Sequence, residues 1–364
     1  MSDKVELKEL DSFLKDLGTK LGDVNIGRIS NMQSIDVETI PTGSLMLDSI
    51  LGGGIPVGRI VEIYGAESSG KTSLALTMAG NVQRKGGVAA FLDVEQAFDR
   101  KYAEALGVDT ANLIFAQPET AEEALNIVLQ LCKSKLVDIV ILDSIASMIP
   151  KEELENNLGK PTIGLLARLL SQGLKQIAVA ASKNKCTVVF TNQIRDNIGS
   201  FYGPQYDTTG GRAMKFYASQ RIEAKRKEKI EEDGEVIGNK VLMRCIKNKI
   251  APPFGEATTV LTFAKGINQA AEILVLGEDT GVIEKKGRTY YYTPNEEHSD
   301  VDISGYGAEK QSDGSIKIGV NIKPVTKELE DNTELARIIS EEVKELLLAK
   351  FGLKTEEGEE IEEE

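Results

Sequence analysis

Tryptophan is absent from the sequence, histidine occurs once and cysteine three times. The lone His298 stands in the polar stretch "PNEEHSD", so a Ser-His-Asp or Cys-His site would have to be built on it alone. Cys132, Cys186 and Cys245 lie far apart, without the paired spacing of a zinc site, and their odd number argues against a disulfide framework. Reduced structural thiols are the reading that remains. No apolar run approaches the roughly 20 residues that cross a bilayer, and the opening "MSDKVELKEL" lacks the apolar segment of a signal peptide. A soluble, cytoplasmic protein with no membrane partner is expected.

Acid outweighs base, for a net charge of −14, which argues against a polyanionic partner until its distribution is considered. Half of it sits in the last ten residues, "TEEGEEIEEE", with seven Glu and no base. Such a block reads as a solvated, disordered tail and says little about the folded surface.

At 364 residues and 41% hydrophobic composition, the chain suffices for one large core with small satellites. Apolar positions at helical spacing (Val5, Leu7, Leu10, Leu14, Leu17, Leu21) predict an amphipathic helix over residues 5–21, ahead of the main domain. From Arg59 onward, β-branched runs ("RIVEIYG", "VAAFLD", "NLIFAQ", "VDIVILD", "CTVVFTN") alternate with helical stretches. That alternation predicts an α/β fold, a mainly parallel sheet with helices on both faces. After Phe216, "YASQRIEAKRKEKI" and "NKVLMRCIKNKI" flank a turn and predict an antiparallel hairpin at the sheet edge. A small α+β region follows, closed by a helix near 333–350. The expected divisions are an N-terminal segment (1–35), a core (36–268), a small C-terminal domain (269–350) and the acidic tail (351–364).

"GAESSGKTS" (Gly65, Ala66, Glu67, Ser68, Ser69, Gly70, Lys71, Thr72, Ser73) fits the phosphate-binding pattern G-x-x-x-x-G-K-[ST], between a strand and a helix. Glycine lets backbone N–H groups approach phosphates closely, and the helix start adds its positive dipole end. ATP and Mg²⁺ are therefore expected, with Lys71 on the β and γ phosphates and Thr72 on the metal. "VDIVILDS" ends a strand at Asp143, a carboxylate suited to hold Mg²⁺, although strand-end Asp is common. "AAFLDVEQAFD" supplies Asp93, Glu95 and Asp99, among which Glu95 is the candidate to orient the attacking water, with a solvated acidic loop as the equally open alternative on these residues alone.

"VVFTNQIRDNIGSFYGPQYDTTGGRAMKF" begins apolar and then becomes turn-rich until Gly210 and Gly211. Most connections run about 4 to 6 residues, so a segment this long points to a functional loop.

Together, "GRIVEIYGAESSGKTS", "FLDVEQAFDRKYAEALGVD", "VDIVILDSIASMIPKEELE", "TTGGRAMKFYAS" and "IKNKIAPPF" resemble the RecA family of DNA strand-exchange recombinases, over roughly residues 40–285. The resemblance implies a RecA-type P-loop ATPase core, helical filaments on single-stranded DNA, pairing with homologous duplex DNA, and DNA-dependent ATP hydrolysis. It assigns Asp99 and Tyr102 to adenine, Gln193 to sensing the γ phosphate, and Lys247 and Lys249 to a nucleotide bound by the neighbouring subunit. In a strand, alternation would put those two lysines on one face. The N-terminal helix would dock on the adjacent protomer, and Phe216 would stand at that interface.

Two loops, about 156–164 and 194–211, would carry the DNA site. The first brings Lys160, Ile163 and Arg168, followed along the helix by Ser171 and Lys175; the second brings Arg195, Ile198, Gly210, Gly211 and Arg212. Cations for phosphates, glycine for close backbone approach and an apolar tip suit sequence-tolerant binding. Asp196, Asn197, Ile163 and Phe263 depart from the family's usual residues. The basic run Arg221, Lys225, Arg226, Lys227 and Lys229 reads as a second DNA surface or, with Glu223 and Glu228 interleaved, as a solvated hairpin; the interleaving favours the latter. A hexameric helicase or a KaiC-like ATPase on the same core is the rival, and the joint presence of "TNQIR", "TTGGRAMKFYAS" and "IKNKIAPPF" argues against it. A non-catalytic DNA-binding module is the other, disfavoured by the full set Lys71, Thr72, Glu95, Asp143 and Gln193.

Overall fold

In the computed structural model the described residues are 7–22, 26–28, 37–155, 164–196, 206–232, 234–263, 265–295, 298 and 307–349. They fall into two compact units, Met1–Val37 and Glu38–Glu364. In the first, helix α1 (Leu7–Lys20) carries Asp11, which pairs with Arg28 at 2.5 Å, while Phe13 is exposed.

The second unit opens with α2 (Leu45–Leu51), flanked by the short antiparallel strands β1 (Thr39–Ile40) and β2 (Ile55–Pro56). Ser44 caps α2, its hydroxyl accepting from Leu47 N. Five strands follow: β3 (Ile60–Gly65), β4 (Ala89–Asp93), β5 (Ile114–Ala116), β6 (Ile139–Asp143) and β7 (Thr187–Asp196). Between them run α3 (Lys71–Arg84), α4 (Arg100–Ala105), α5 (Ala121–Ser134), α6 (Lys151–Glu155) and α7 (Leu165–Asn184). Then come β8 (Tyr206–Thr208), α8 (Ala213–Tyr217), β9 (Gln220–Glu232), β10 (Glu235–Asn248), β11 (Glu256–Thr262) and β12 (Gly266–Ile267). The resulting sheet runs β12-β11-β10-β9-β3-β7-β6-β4-β5, with β8 paired to β7. From β9 to β5 the neighbours are parallel.

These strands are mainly apolar because both faces are covered, with Glu62 and Asn192 among the buried exceptions. Val61, Ile139, Ile141 and Val189 enter one core with α3, whereas Ile60, Val140, Leu142 and Val188 enter another with α5 and α7. Alternation along each strand thus divides its side chains between two cores.

Two expectations are corrected. The β9–β10 hairpin is not at the sheet edge, since β9 pairs with β3 and β10 with β11, leaving β12 outermost. The β-branched run "EATTVLT" supplies the extra strand. The long segment after Val188 is also less irregular than its composition reads. Strand β7 continues past Asn192 and Gln193 to Asp196, because β3 pairs with it through Gln193 and β8 then pairs with Ile194, Arg195 and Asp196.

Beyond the sheet, α9 (Gln269–Thr280), β13 (Ile283–Lys286), β14 (Thr289–Tyr292), β15 (Glu309–Lys310), β16 (Ile316–Val320), α10 (Ile322–Asp331) and α11 (Thr333–Ala349) surround a third core, centred on Tyr290, Tyr292, Ile316 and Ile339. His298 Nδ1 lies 3.1 Å from Glu342 Oε1, which also accepts from the Tyr292 hydroxyl. The single histidine is thus engaged far along the chain from the phosphate motif. All three cysteines are buried and unbridged. Among the described residues no helix is long and apolar enough to cross a membrane, and the acidic tail lies outside them.

Candidate nucleotide site and DNA interface

Strand β3 ends at Gly65 and α3 starts at Lys71, so residues 66–70 form a loop at the helix N-terminus. A Cβ at Gly65 would collide with the Ala224 carbonyl. Gly70 has φ +85°, and a Cβ there would stand 2.7 Å from Leu261 Cδ2. Both glycines are therefore fixed by the fold as well as by phosphate access. Lys71 Nζ donates to Gly65 O (3.3 Å) and Ala66 O (2.8 Å). Desolvation holds it below the ordinary lysine range, opposed by the charges of Asp143, Glu95 and Glu67. The Ser69 hydroxyl is buried with no partner, while Ala66, Glu67 and Ser68 are exposed around it. A cation, an orphaned hydroxyl and a helix start converging on an open loop fit a nucleotide's phosphates.

Two oxygens of Asp143 are held by two threonines: Thr72 Oγ1 donates to Oδ2 at 2.5 Å, and Thr191 to Oδ1. Desolvation nevertheless raises the carboxyl above the usual range, with both hydrogen bonds opposing. This Thr72–Asp143 pair is the donor set that suits Mg²⁺, oxygen ligands beside a phosphate loop. Backbone N–H groups of Val94 (2.8 Å) and Glu95 (3.3 Å) both donate to Asp143 O, fastening the segment after β4 to the end of β6. Asp93 shapes that same segment by accepting from Ala97 N, Phe98 N and Gln117 Nε2. Glu95 Oε1 accepts from Ser144 Oγ (2.5 Å), Gln193 Nε2 (3.2 Å) and Ser147 Oγ (3.4 Å). The carboxylate proposed for water and the carboxamide proposed for sensing therefore touch.

Asp99 is the exposed N-cap of α4, accepting from Tyr102 N, and the Tyr102 hydroxyl is 2.7 Å from Ser73 Oγ in α3. That contact places the ring beside the phosphate loop's helix. Lys247 Nζ donates to Lys215 O (2.7 Å) and Phe216 O (3.1 Å), and Phe216 itself is 70% exposed. The expected sharing of one strand face by Lys247 and Lys249 is corrected. A bulge separates Cys245 from Lys247, β10 stops at Asn248, and the Asn248 side chain accepts from Ile250 N and Ala251 N, turning the chain at Lys249. Lys249 is exposed, and both Lys249 and Arg221 disfavour the charge on Lys247, after desolvation.

On the DNA side, Arg168, Ser171 and Lys175 share an exposed stripe of α7 at helical spacing. Lys160, Ile163 and Ile198 lie outside the described residues. Arg195 Nε donates to Thr209 Oγ1 at 3.1 Å, and Arg212 is exposed at the start of α8. Gly210 (φ +91°) and Gly211 (φ +72°) press onto α7: a Cβ at Gly210 would collide with Leu170, and one at Gly211 would be 3.3 Å from Ala167. Close packing against the helix that carries Arg168 is thus a second cause for the glycine pair. Arg221 leaves the basic surface, because it is buried against Glu62; Lys225, Arg226, Lys227 and Lys229 are exposed.

Sequence reading missed Ser144, Ser147 and Thr191, which hydrogen-bond the Glu95 and Asp143 carboxylates. Hydroxyls beside acidic strand ends are too common to signal this without a fold.

Comparison with known proteins adds an independent line. The model of the RecA N-terminal domain matches residues 8–268. Protein RecA of Trichormus variabilis is 42% identical over 340 residues, 93% of this chain and 89% of the relative. Protein RecA of Thermotoga petrophila is 42% identical over 363 residues, 99% of this chain and 96% of the relative. Protein RecA of Trichodesmium erythraeum reaches 47% over 289 residues, 79% and 80% of the two chains. With a phosphate loop, two held carboxylates and a sheet in the matched region, the chain belongs to the RecA family, the DNA-dependent ATPases of homologous recombination and repair.

Proposed function

We propose that this chain binds ATP with Mg²⁺ at Gly65–Ser73, assembles as a helical filament on single-stranded DNA in the cytoplasm, and exchanges strands with homologous duplex. The observation that carries this reading is the Gln193–Glu95 hydrogen bond, 3.2 Å long, at the root of the segment assigned to DNA. Lys71 and the N–H groups of residues 66–70 receive phosphate oxygens. Thr72 and Asp143 hold Mg²⁺, which when bound neutralises charge developing between the β and γ phosphates. Glu95, oriented by Ser144, accepts a hydrogen bond from the attacking water. Asp99 and Tyr102 flank the adenine. Gln193 exchanges its Glu95 contact for the γ phosphate, and Lys247 and Lys249 reach the nucleotide of a neighbouring copy, which completes the site only in the filament. Arg168, Ser171, Lys175, Arg195 and Arg212 serve the DNA backbone; Lys160 is assigned to it as well, and the apolar loop tips Ile163 and Ile198 are assigned to the bases.

The test is ATP turnover by the purified chain with and without single-stranded DNA, paired with electron micrographs. Stimulation of about tenfold or more, corresponding to a barrier lowered by at least about 1.4 kcal/mol, and extended filaments are expected. Closed rings in place of extended filaments would favour the ring-forming rival, and turnover indifferent to DNA would overturn the reading.

A further inference from the structure

Directly before Gln193, a buried polar cluster remains that the proposed chemistry does not use. Asn192 is 0% exposed and fully hydrogen-bonded: its Nδ2 donates to Glu62 Oε1 (2.9 Å) and to Thr209 O (3.0 Å), while its Oδ1 accepts from Gln193 N (2.9 Å). The amide orientation follows from its partners, since Gln193 N can only donate and the other two oxygens only accept. Glu62 is itself buried, and its second oxygen pairs with Arg221 Nε at 2.5 Å. The Arg221 guanidinium in turn lies 4.7 Å from the Tyr64 ring centre.

Register explains the assembly. Glu62 is opposite Arg221, and Tyr64 stands between Asn192 and Glu223, so these side chains share one face of β3, β7 and β9. An ion pair buried this deeply tolerates little displacement, because separating its members leaves an uncompensated charge. It therefore gives Asn192 a fixed abutment. At the other end, Thr209 immediately precedes Gly210 and Gly211, and its N–H reaches Gln193 O at 3.4 Å. One carboxamide thus joins the phosphate-loop strand, the residue bearing the Glu95 contact and the returning arm of the long loop.

We propose that Asn192 is a positioning residue for ATP hydrolysis: braced on Glu62 and gripping Thr209, it transmits a displacement of Thr209, Gly210 and Gly211 on DNA binding to the Gln193–Glu95 contact. This rests on the reading given under Proposed function. Loss of the carboxamide leaves Lys71, Thr72, Asp143 and Glu95 in place but frees the returning arm from the strand end.

The experiment uses the full chain with Asn192→Ala and Asn192→Ser. The second loses the carboxamide but keeps a small neutral hydroxyl beside Glu62 and Gln193 N, so it serves where alanine impairs folding. ATP turnover with and without oligo(dT), affinity for a fluorescent ATP analogue, and oligo(dT) affinity are measured together. DNA-free turnover and both affinities are expected to stay within about threefold of wild type, while stimulation by DNA falls about tenfold or more, a change in kcat and not in half-saturating ATP. Stimulation kept within about threefold in either folded variant overturns the proposal. Equal loss of DNA-free and DNA-stimulated turnover overturns it as well, since that marks general damage to the site. If wild type itself shows no stimulation, the underlying reading falls, and the proposal with it.

Discussion

Gln193 Nε2 donates to Glu95 Oε1 across 3.2 Å, linking the strand that leads into the 194–211 segment with the loop that follows β4. Because Ser144 also donates to that oxygen, Glu95 is held from two neighbouring strand ends. A carboxylate so held can be reoriented only by breaking named contacts.

Replacing the acid tests its role. Glu95→Gln keeps the shape and loses the charge, so ATP turnover should drop by about 10²- to 10⁴-fold, the usual worth of a general base. Nucleotide binding, measured with a fluorescent analogue, should stay near wild type if, as proposed, Lys71 and the backbone loop do the binding. Turnover within a few-fold of wild type would remove Glu95 from the chemistry.

Gly70→Ala tests the loop itself. The added methyl meets Leu261 Cδ2 at 2.7 Å in a backbone with φ +85°, and the left-handed conformation alone costs about 1–2 kcal/mol. Relief requires moving the loop away from β11, so nucleotide affinity should fall by about tenfold or more, with melting temperature lowered in parallel. Unchanged affinity would show that the loop does not need this close approach.

How much of this was legible in the sequence differs from element to element. Lys71 and Thr72 announce themselves because phosphate binding dictates both residue types and spacing. The parallel strands do so because burial on both faces leaves uninterrupted apolar runs such as "VDIVILD". Strand β11 and the continuation of β7 from Ile194 to Asp196 did not, since pairing with another strand, and not local composition, keeps them extended. The brace Glu62–Arg221 was invisible for a related reason: its members are 159 residues apart, and charged residues read as surface until their neighbours are known.

Asp48 carries a pH prediction. Fully desolvated in α2, its carboxyl is pushed from an ordinary 3.8 up to about 7, opposed by hydrogen bonds from Thr42 and by Lys344. The folded state therefore binds this proton more tightly than the unfolded one. Its contribution is favourable below about pH 4, declines as pH rises, and is lost above about pH 7, a change of at most about 4 kcal/mol. Asp48→Asn keeps an acceptor for Thr42 N and removes the titration. Melting temperatures measured from pH 5 to pH 8 should fall more steeply for wild type than for the variant; parallel curves would refute the assignment.

The most direct measurement is DNA-stimulated ATP turnover by Gln193→Ala beside wild type, with nucleotide and single-stranded DNA affinities determined on the same preparations. If β7 carries the DNA signal to Glu95 through Gln193, both ligands will still bind within a few-fold and stimulation will disappear. Stimulation equal to wild type in a variant that lacks this carboxamide would contradict that account.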